Sequence, residues 1–221
     1  MRVKKEAKRE EIMLVAREVF REKGYAETSM AEISARLGGS KGTLYNYFAS
    51  KEELFTAVML EIVDRHAADL LRKLERAEDM RRGLAPFMYQ LMRALCSAEM
   101  VDFRRMLIGE AGRTRLGILV YKLGSAQYLK KFAELFAVQI QKGRFRKVDP
   151  WQAAVHMQSL CTGTPVQWVL EGVTDIPGDG ELAVAAAAAA DVFFRAYAIE
   201  PVTVRKPRVD VSPKPPARTK H

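Results

Sequence analysis

The sequence predicts an all-α protein with an N-terminal three-helix head and a larger helical domain behind it. Apolar residues recur every three or four positions as far as residue 198, which is the spacing of amphipathic helices. The interruptions are short and contain glycine, proline or charged residues, as helix ends do. A chain of 221 residues can hold two such domains. We therefore predict one domain over residues 1–50, a second over 51–199 and a tail over 200–221.

The first helix of the head is predicted from one apolar face. Its members occupy positions i, i+3, i+4, i+7 and i+8: Ile12, Val15, Ala16, Val19 and Phe20. Gly24 closes this helix. A second, short helix then begins either at Thr28 or at a capping box of Ser29 and Glu32, and it ends at Gly38.

A sharp turn and a third helix follow. Gly38 can adopt a positive φ without a Cβ penalty, which a tight turn between crossing helices requires. Leu44 and Phe48 lie four residues apart and can pack back on the second helix. The remaining positions are hydrogen-bonding residues without a carboxylate: Ser40, Lys41, Thr43, Tyr45 and Asn46. Such a surface suits phosphates and base edges, so residues 29–48 predict a helix-turn-helix that reads DNA. The alternative is a pair of packed amphipathic helices without a DNA role.

A fourth helix is predicted to begin with a second capping box, formed by Ser50 and Glu53. Lys51 lies in its first turn, where a cation is unfavourable beside the positive end of the helix dipole. A DNA phosphate bound at this helix end would explain the lysine. We therefore predict that Lys51 contacts phosphate.

These features together resemble the TetR family of transcriptional regulators. The family signature ends the first helix with glycine and an aromatic residue, here Gly24-Tyr25, and continues with a segment like the one from Gly38 to Leu54. The resemblance implies that one set of residues contacts the sugar-phosphate backbone: Thr28, Lys41, Tyr45, Tyr47 and Lys51. It implies that a second set lies nearest the bases of a major groove: Ser40, Gly42, Thr43, Tyr45 and Asn46.

Gly39, which we also assign to the DNA-binding segment, departs from the family pattern. The family usually has valine at this position, so an apolar plug is missing and the turn is expected to be looser. We predict that a Gly39→Val substitution stabilises the head.

The net charge of +9 is carried by the two ends of the chain. Residues 1–51 carry +4, residues 52–200 are neutral and residues 201–221 carry +5. A positive head on a neutral body suits a polyanionic partner, since phosphate contacts supply most sequence-independent affinity. The N-terminal arm could contribute through five basic residues: Arg2, Lys4, Lys5, Lys8 and Arg9. Interleaved glutamates at 6, 10 and 11 leave a solvated, ion-paired face as the alternative. The basic, proline-rich tail is predicted to be disordered and could attract DNA or only aid solubility.

The second domain is predicted to contain six helices, the fourth of which could break near Gly124. They span residues 51–77, 79–97, 100–112, 115–142, 150–171 and 180–198. The resemblance implies that the last two helices form a four-helix dimer interface. Small and aromatic residues suit close helix packing there: Trp151, Ala185, Ala189 and Phe193. The alternative is a last helix that packs inside its own subunit.

Bulky and soft side chains of this domain could line a cavity for an apolar or amphipathic effector. The residues assigned to it are Met92, Phe103, Tyr121, Met157, Cys161, Thr162, Thr164 and Trp168. Pro165 lies inside the fifth predicted helix, which should kink there and free the carbonyl of Cys161 as a polar anchor. The alternative is a plain kinked helix whose carbonyl is satisfied locally.

The sequence does not predict catalysis. It holds three histidines, no glycine-rich phosphate loop, no Cys/His metal pairs and no nucleophile elbow, so we expect no enzyme, no metal and no cofactor. Cys96 and Cys161 lie in apolar stretches and are predicted to be buried, with a thiol sensor as the alternative. The most apolar run is broken by Asp191, and no signal peptide is recognisable, so we expect a cytoplasmic protein without a membrane span.

The predicted function is that of a homodimeric, TetR-like transcription factor. We expect it to act as a repressor that occupies a palindromic operator until an effector moves the two heads apart, with the helix from Lys51 as the lever. One alternative is a ligand-independent architectural DNA-binding protein. Another is an enzyme or carrier with a vestigial head.

Overall fold

The structure, a computed structural model, describes residues 2–76 and 79–199, with the side chains of 2–4, 64–70, 73 and 76 left out of the description. These residues form eleven α-helices and one π-helical turn, which confirms the predicted all-α fold. The helices are α1 (Arg2–Glu27), α2 (Met30–Arg36), α3 (Lys41–Tyr47), α4 (Lys51–Arg76), α5 (Met80–Leu95), α6 (Ala98–Gly109), α7 (Leu116–Val120), α8 (Ala126–Gln141), α9 (Pro150–Thr162), α10 (Val166–Glu171) and α11 (Asp179–Tyr197). The π-helical turn, Tyr121–Ser125, joins α7 to α8. The predicted tail over 200–221 lies outside the described residues.

Two of the predicted helices differ from the structure. The helix predicted over 115–142 is divided into α7, the π-helical turn and α8. Gly124 lies in the turn, so the break occurs where it was predicted. The prediction of one kinked helix over residues 150–171 was wrong. The chain leaves helical geometry at Gly163 (ψ −152°), and a separate helix, α10, begins after it. Pro165 has no N–H to continue the ladder, so the break falls just before it.

The contacts divide the chain into two compact units. The first contains residues 2–65 and 102–125, and is therefore larger than the predicted head of residues 1–50. Its core includes an aromatic cluster in which the Phe55 ring centroid lies 5.1 Å from that of Phe20 and 5.3 Å from that of Phe103. Phe55 belongs to α4, so the first half of this helix packs with α1.

The π-helical turn approaches α4 closely within the first unit. A Cβ atom at Gly124 would lie 2.5 Å from Cδ2 of Leu60, which is closer than non-bonded carbon atoms approach. Glycine therefore permits this contact, and a larger residue would displace the leucine side chain.

In the second unit, α11 packs against α5 and α9, and α8 packs against α9. Aromatic residues fill the core, for example Phe136 against Phe193 at 5.1 Å and Phe87 against Phe132 at 5.3 Å. Along α11 the alanines at 186, 189 and 190 are buried, whereas those at 187 and 188 are exposed. Across the described ranges, no helix has the length and hydropathy needed to cross a membrane.

Candidate nucleic-acid interface

The turn between α2 and α3 is held by local hydrogen bonds. Of the two predicted starts of α2 the structure uses Ser29, whose hydroxyl accepts the Glu32 amide N–H at 3.2 Å. Gly38 has a φ of 65°, which confirms its predicted positive φ. The buried Ser34 hydroxyl then donates to the Gly39 carbonyl at 3.1 Å and fixes the chain as it enters α3.

The recognition helix α3 presents polar side chains on an exposed face. Ser40 caps it by accepting the Thr43 amide N–H at 3.2 Å, and the two hydroxyl groups lie 3.0 Å apart. Leu44 and Phe48 are fully buried and attach the helix to the head. The predicted DNA-contacting residues of this segment remain accessible: Ser40, Lys41, Gly42, Tyr45 and Asn46 are exposed, and Thr43 and Tyr47 are half-buried.

Lys51, predicted to contact phosphate, is used inside the head. Its ammonium group donates to the carbonyl oxygens of Tyr25 at 2.8 Å and Thr28 at 2.9 Å, with Ala26 at 3.4 Å. The same nitrogen lies 4.2 Å from the centroid of the Tyr25 ring. A cation beside the carbonyl-rich C-terminal end of α1 is favourable, which explains the lysine without DNA.

The predicted capping box of α4 is present in altered form. The Ser50 hydroxyl accepts the Glu53 amide N–H at 3.2 Å, as expected. The returning bond, however, runs from the Ala49 amide N–H to the Glu53 carboxylate at 2.8 Å. The first turn of α4 is therefore anchored both by its cap and by Lys51.

Thr28, also predicted to contact the DNA backbone, is buried at the end of α1. Its hydroxyl donates to the Gly24 carbonyl at 2.6 Å. This bond satisfies a carbonyl of the helix at the point where Gly24 interrupts it (φ 77°). Thr28 therefore stabilises the same segment, at the end of α1, whose carbonyl oxygens Lys51 binds.

Charged residues around the interface are largely paired. Lys8 binds Glu11 at 2.9 Å, as the ion-paired alternative for the N-terminal arm expected, and Arg36 binds Glu22 at 2.7 Å. The hydrogen bond from Arg36 lowers the pKa of the Glu22 carboxyl. Lys41, in contrast, is exposed and forms no ion pair with any residue that the structure describes.

Sequence reasoning missed a contact between the arm and the end of α3. The Arg9 guanidinium lies 5.1 Å from the centroid of the buried Phe48 ring, which is the geometry of a cation–π contact. The basic composition of the arm was visible in the sequence, but its aromatic partner is 39 positions away. A pattern of neighbouring residues in the sequence cannot predict a contact between residues so far apart.

The residues assigned to an effector cavity are spread over both units. Phe103 is buried in the aromatic cluster of the first unit, where Tyr121 is exposed. Met92, Met157 and Cys161 are buried in the core of the second unit. The hydroxyl of the half-buried Thr162 donates a hydrogen bond to the Gln158 carbonyl at 3.1 Å. Of the eight residues assigned to the effector cavity, Thr164 and Trp168 line the groove that is described next.

That cavity is an open groove of about 520 Å³ in the second unit, which we call the α10–α11 groove. It lies between the α9–α10 junction, the following loop and the first turns of α11. Its lining consists of Thr164, Pro165, Trp168, Thr174, Asp175, Ile176, Pro177, Gly180, Glu181, Val184 and Ala185. The sequence analysis did not predict the loop residues of this groove, because it assigned cavity residues from the apolar pattern of the helices, and these residues lie outside that pattern.

The residues predicted to form a dimer interface are unequally accessible. Phe193 is fully buried and Ala189 nearly so, while Ala185 is half-buried and Trp151 is 40% exposed. The exposed apolar side chains of α11 are instead Val184, at 72% exposure, and Val192, at 51%. Phe193 belongs to the core of its own unit.

Both cysteines are buried, as predicted. Burial raises the pKa of the Cys161 thiol to about 12, so the reactive thiolate is scarce at neutral pH. This environment disfavours the alternative of a thiol sensor at Cys161.

A capped recognition helix on a two-helix turn, with an exposed polar face free of carboxylates, defines the helix-turn-helix class of DNA-binding proteins. Comparison with known families agrees. Residues 12–58 match the family model "Bacterial regulatory proteins, tetR family", and residues 82–199 match "AefR-like transcriptional repressor, C-terminal domain". The chain belongs to the TetR family of bacterial transcriptional regulators, which confirms the predicted family and the prediction of a non-enzymatic regulator.

Individual relatives are similar to part of this chain. The HTH-type transcriptional activator FasR of Mycolicibacterium smegmatis is 36% identical over 83 residues, which cover 38% of each protein. YfiR of Bacillus subtilis is 25% identical over 153 residues, or 66% of this chain and 72% of YfiR. The chain thus spans well under two thirds of the length of FasR.

Solved structures resemble the fold over most of its length. A TetR-family regulator from Mesorhizobium loti is 29% identical, with a TM-score of 0.76 and coverage of 87% of this chain and 98% of that one. The flavonoid-responsive regulator FrrA is 25% identical, with a TM-score of 0.70 and coverage of 88% and 99%. The fold of the C-terminal domain is therefore that of TetR-family regulators.

Proposed function

We propose that the protein is a homodimeric repressor that binds a palindromic operator and releases it when a small apolar or amphipathic effector binds. The observation that carries this proposal is the exposed face of α3. It holds hydroxyl, amide, phenol and ammonium groups, and it lacks the carboxylates that would repel DNA.

The residues of this face divide into two roles. Ser40, Gly42, Thr43, Tyr45 and Asn46 are proposed to lie nearest the base edges, where hydroxyl and amide groups discriminate between base pairs. Lys41, Tyr45 and Tyr47 are proposed to hold the phosphates on either side. These assignments follow from exposure on α3 together with the family resemblance.

Three further residues, Gly39, Thr28 and Lys51, are proposed to act through the backbone of the head. Gly39 is exposed in the turn, so its backbone can approach DNA closely. Thr28 and Lys51 hold the end of α1 against the first turn of α4, and we propose that they position the head on the DNA. The direct phosphate contact that the sequence predicts for Lys51 is the alternative to this positioning role, and the salt dependence of DNA binding separates the two.

A dimer is proposed from the exposed apolar residues of α9 and α11. Val184 and Val192 are exposed on α11, and Trp151 is 40% exposed on α9. Alanines at 187 and 188 between the valines let a second helix approach closely. Two recognition helices related by a twofold axis require a palindromic site with half-sites about one helical turn apart.

The dimer is tested by placing a charge on this face. A Val192→Glu variant should sediment as a monomer and lose operator affinity, because two carboxylates would be buried together. Val138→Glu is the matched control, since Val138 is 42% exposed in the same unit but lies on α8. A Val192→Glu variant that remains dimeric would remove this face from the interface.

The effector response is proposed to act through α4. This helix begins at Lys51, beside the recognition segment, and continues to Arg76, so a tilt at one end moves the other. Only an effector with different affinities for the DNA-bound and released states can drive the change. The protein would act in the cytoplasm, where bacterial DNA lies.

Repression is proposed because the C-terminal domain matches the AefR-like repressor model, although FasR is named an activator. The test is a reporter gene placed behind the selected operator in cells with and without the protein. Higher expression without the protein supports repression, and lower expression contradicts it.

A further inference from the structure

Arg9 on α1 is held against the C-terminal end of the recognition helix. Its guanidinium group lies over the ring of Phe48, 5.1 Å from the ring centroid, and its Nη1 atom donates to the Met13 sulfur at 3.5 Å. Phe48 is buried and is the C-cap residue of α3, directly after Tyr47. The two contacts therefore place a cation beside the end of the helix that we propose to face DNA.

Arg9 continues the buried face of α1 with a charged residue. At 3.6 residues per turn, Arg9 lies within about 40° of Met13, Ala16 and Phe20 around the helix. Those three side chains are buried, whereas Arg9 is half-buried. A long basic side chain can cover apolar surface with its stem while its charged head stays in water. Arg9 therefore combines packing on the head with a charge at its surface.

The charge of Arg9 is not balanced by any residue that the structure describes. The neighbouring Lys8 binds Glu11 at 2.9 Å, but Arg9 forms no ion pair in the described part of the chain. A cation–π contact uses the face of the guanidinium group, whereas the N–H groups lie in its plane. The Met13 sulfur accepts one of these N–H groups, and the others have no acceptor among the described residues. They are therefore available to an anion.

A DNA phosphate is the anion that this arrangement fits. The recognition helix α3 has seven residues. Its length is therefore about 10 Å, and the major groove of DNA is about 12 Å wide. Lys41 is the first residue of α3, and Arg9 lies beside the residue that ends it. Cations at the two ends of the helix can thus reach phosphates on opposite sides of the groove. The planar guanidinium group can also form two parallel hydrogen bonds with one phosphate, which a lysine cannot.

We propose that Arg9 contacts a DNA phosphate at the C-terminal end of α3, with Phe48 holding its guanidinium group in place. The inference rests on the proposed function and adds to it a contact from outside the helix-turn-helix. Because the contact is made with the sugar-phosphate backbone, it contributes equally to binding of the operator and of other DNA. It also distinguishes two basic residues of the arm: Arg9 binds phosphate, whereas the ion-paired Lys8 does not.

The first test removes the charge of Arg9. Full-length wild-type protein and an Arg9→Met variant are titrated, at several salt concentrations, against fluorescently labelled duplexes of the selected operator and of random sequence. Arg9→Met should bind both duplexes about tenfold more weakly and reduce the salt slope by about one unit per subunit. Its melting temperature should change little, because methionine also packs well against an aromatic ring.

Lys8→Met is the matched control, because it removes the same charge from the adjacent position, where Glu11 already balances it. Its affinity and salt slope should stay close to those of the wild type. An equal loss in Lys8→Met would mean that only the overall charge of the arm matters, and it would overturn the proposal. A lower melting temperature of Arg9→Met with an unchanged salt slope would assign Arg9 a structural role alone and would overturn it as well.

An Arg9→Lys variant tests the part played by Phe48. Lysine keeps the charge but lacks the planar guanidinium group and its paired hydrogen bonds. The salt slope should therefore match that of the wild type, while both duplexes bind about threefold more weakly. Wild-type affinity in Arg9→Lys would overturn the positioning role that we assign to Phe48.

Binding to the two duplexes separates this inference from the proposed function. If the protein selects a palindrome but Arg9→Met keeps the wild-type salt slope, the Arg9 contact fails and the regulator stands. If no palindrome is selected but Arg9→Met flattens the slope on random-sequence DNA, the Arg9 contact stands and the operator-specific regulator fails.

Discussion

The helices α3 and α4 begin with the same two residues, serine followed by lysine, and use the lysine differently. In each, the serine hydroxyl accepts the amide N–H three residues later at 3.2 Å: Ser40 from Thr43, and Ser50 from Glu53. Lys41 then extends into solvent on the recognition helix. Lys51 folds back and binds the carbonyl oxygens that follow the break in α1.

The surroundings of each lysine decide its use. The carbonyl groups at the end of α1 lie within reach of Lys51, and the Tyr25 ring lies beneath its ammonium group. No such acceptors surround Lys41 in the described part of the chain, so its charge remains available to a phosphate. The same dipeptide therefore supplies a structural clamp in one helix and a candidate DNA contact in the other.

The largest expected effect is that of a Lys51→Met substitution. Hydrogen bonds to charged groups contribute strongly, so loss of this clamp should lower the free energy of unfolding by about 3 kcal/mol. Urea denaturation measures this change. The slope of operator affinity against salt concentration should stay the same, and a flatter slope with unchanged stability would instead make Lys51 a phosphate contact.

Asn46→Ala should have the next largest effect, confined to base preference. Loss of a side-chain amide contact should remove about 2 kcal/mol of discrimination at one base position of each half-site. Competition binding with operators changed one base at a time measures it. Equal loss of affinity for every sequence would place Asn46 on the backbone instead.

Lys41→Met should weaken binding to all sequences by about 1 kcal/mol at physiological salt and reduce the salt slope by about one unit per subunit. Because Lys41 is exposed, its melting temperature should match that of the wild type. Titrations at several salt concentrations, run beside Lys51→Met, give the comparison directly. An unchanged slope for Lys41→Met would contradict the different roles of the two lysines.

The smallest effect is expected for Gly39→Val in the turn before Ser40. The structure leaves open space around a Cβ atom at this position, and the substitution restricts the unfolded chain, so we expect stabilisation of about 0.5 kcal/mol. Gly38→Val is the matched control and should destabilise the head, because its φ of 65° disfavours a branched side chain. Thermal denaturation of both variants decides the matter, and an unchanged melting temperature for Gly39→Val would count against it.

The sequence was most informative where the deciding interactions are local. The cap at Ser29, the positive φ of Gly38 and the hydroxyl cap of Ser50 each involve residues within four positions, and all three are confirmed. Few residue types can cap a helix or adopt a positive φ, and in each case the preference has a short-range physical cause.

Prediction was weaker where distant residues decide. Lys51 binds acceptors 23 to 26 positions earlier in the chain, so its local setting suggested only a phosphate. The six consecutive alanines of α11 give no periodic signal, so the sequence could not distinguish its buried face from its exposed one. Phe193 was assigned to the interface for this reason, and the structure buries it in the core.

Selection of bound fragments from random DNA, with the full-length protein at near-physiological salt, tests the proposed function most directly. A dimer with two recognition helices predicts enrichment of a palindrome whose half-sites lie about one helical turn apart. The Asn46→Ala variant should enrich the same spacing with one base position relaxed in each half-site. Binding without any enriched motif would contradict the operator-specific regulator and favour a ligand-independent architectural DNA-binding protein.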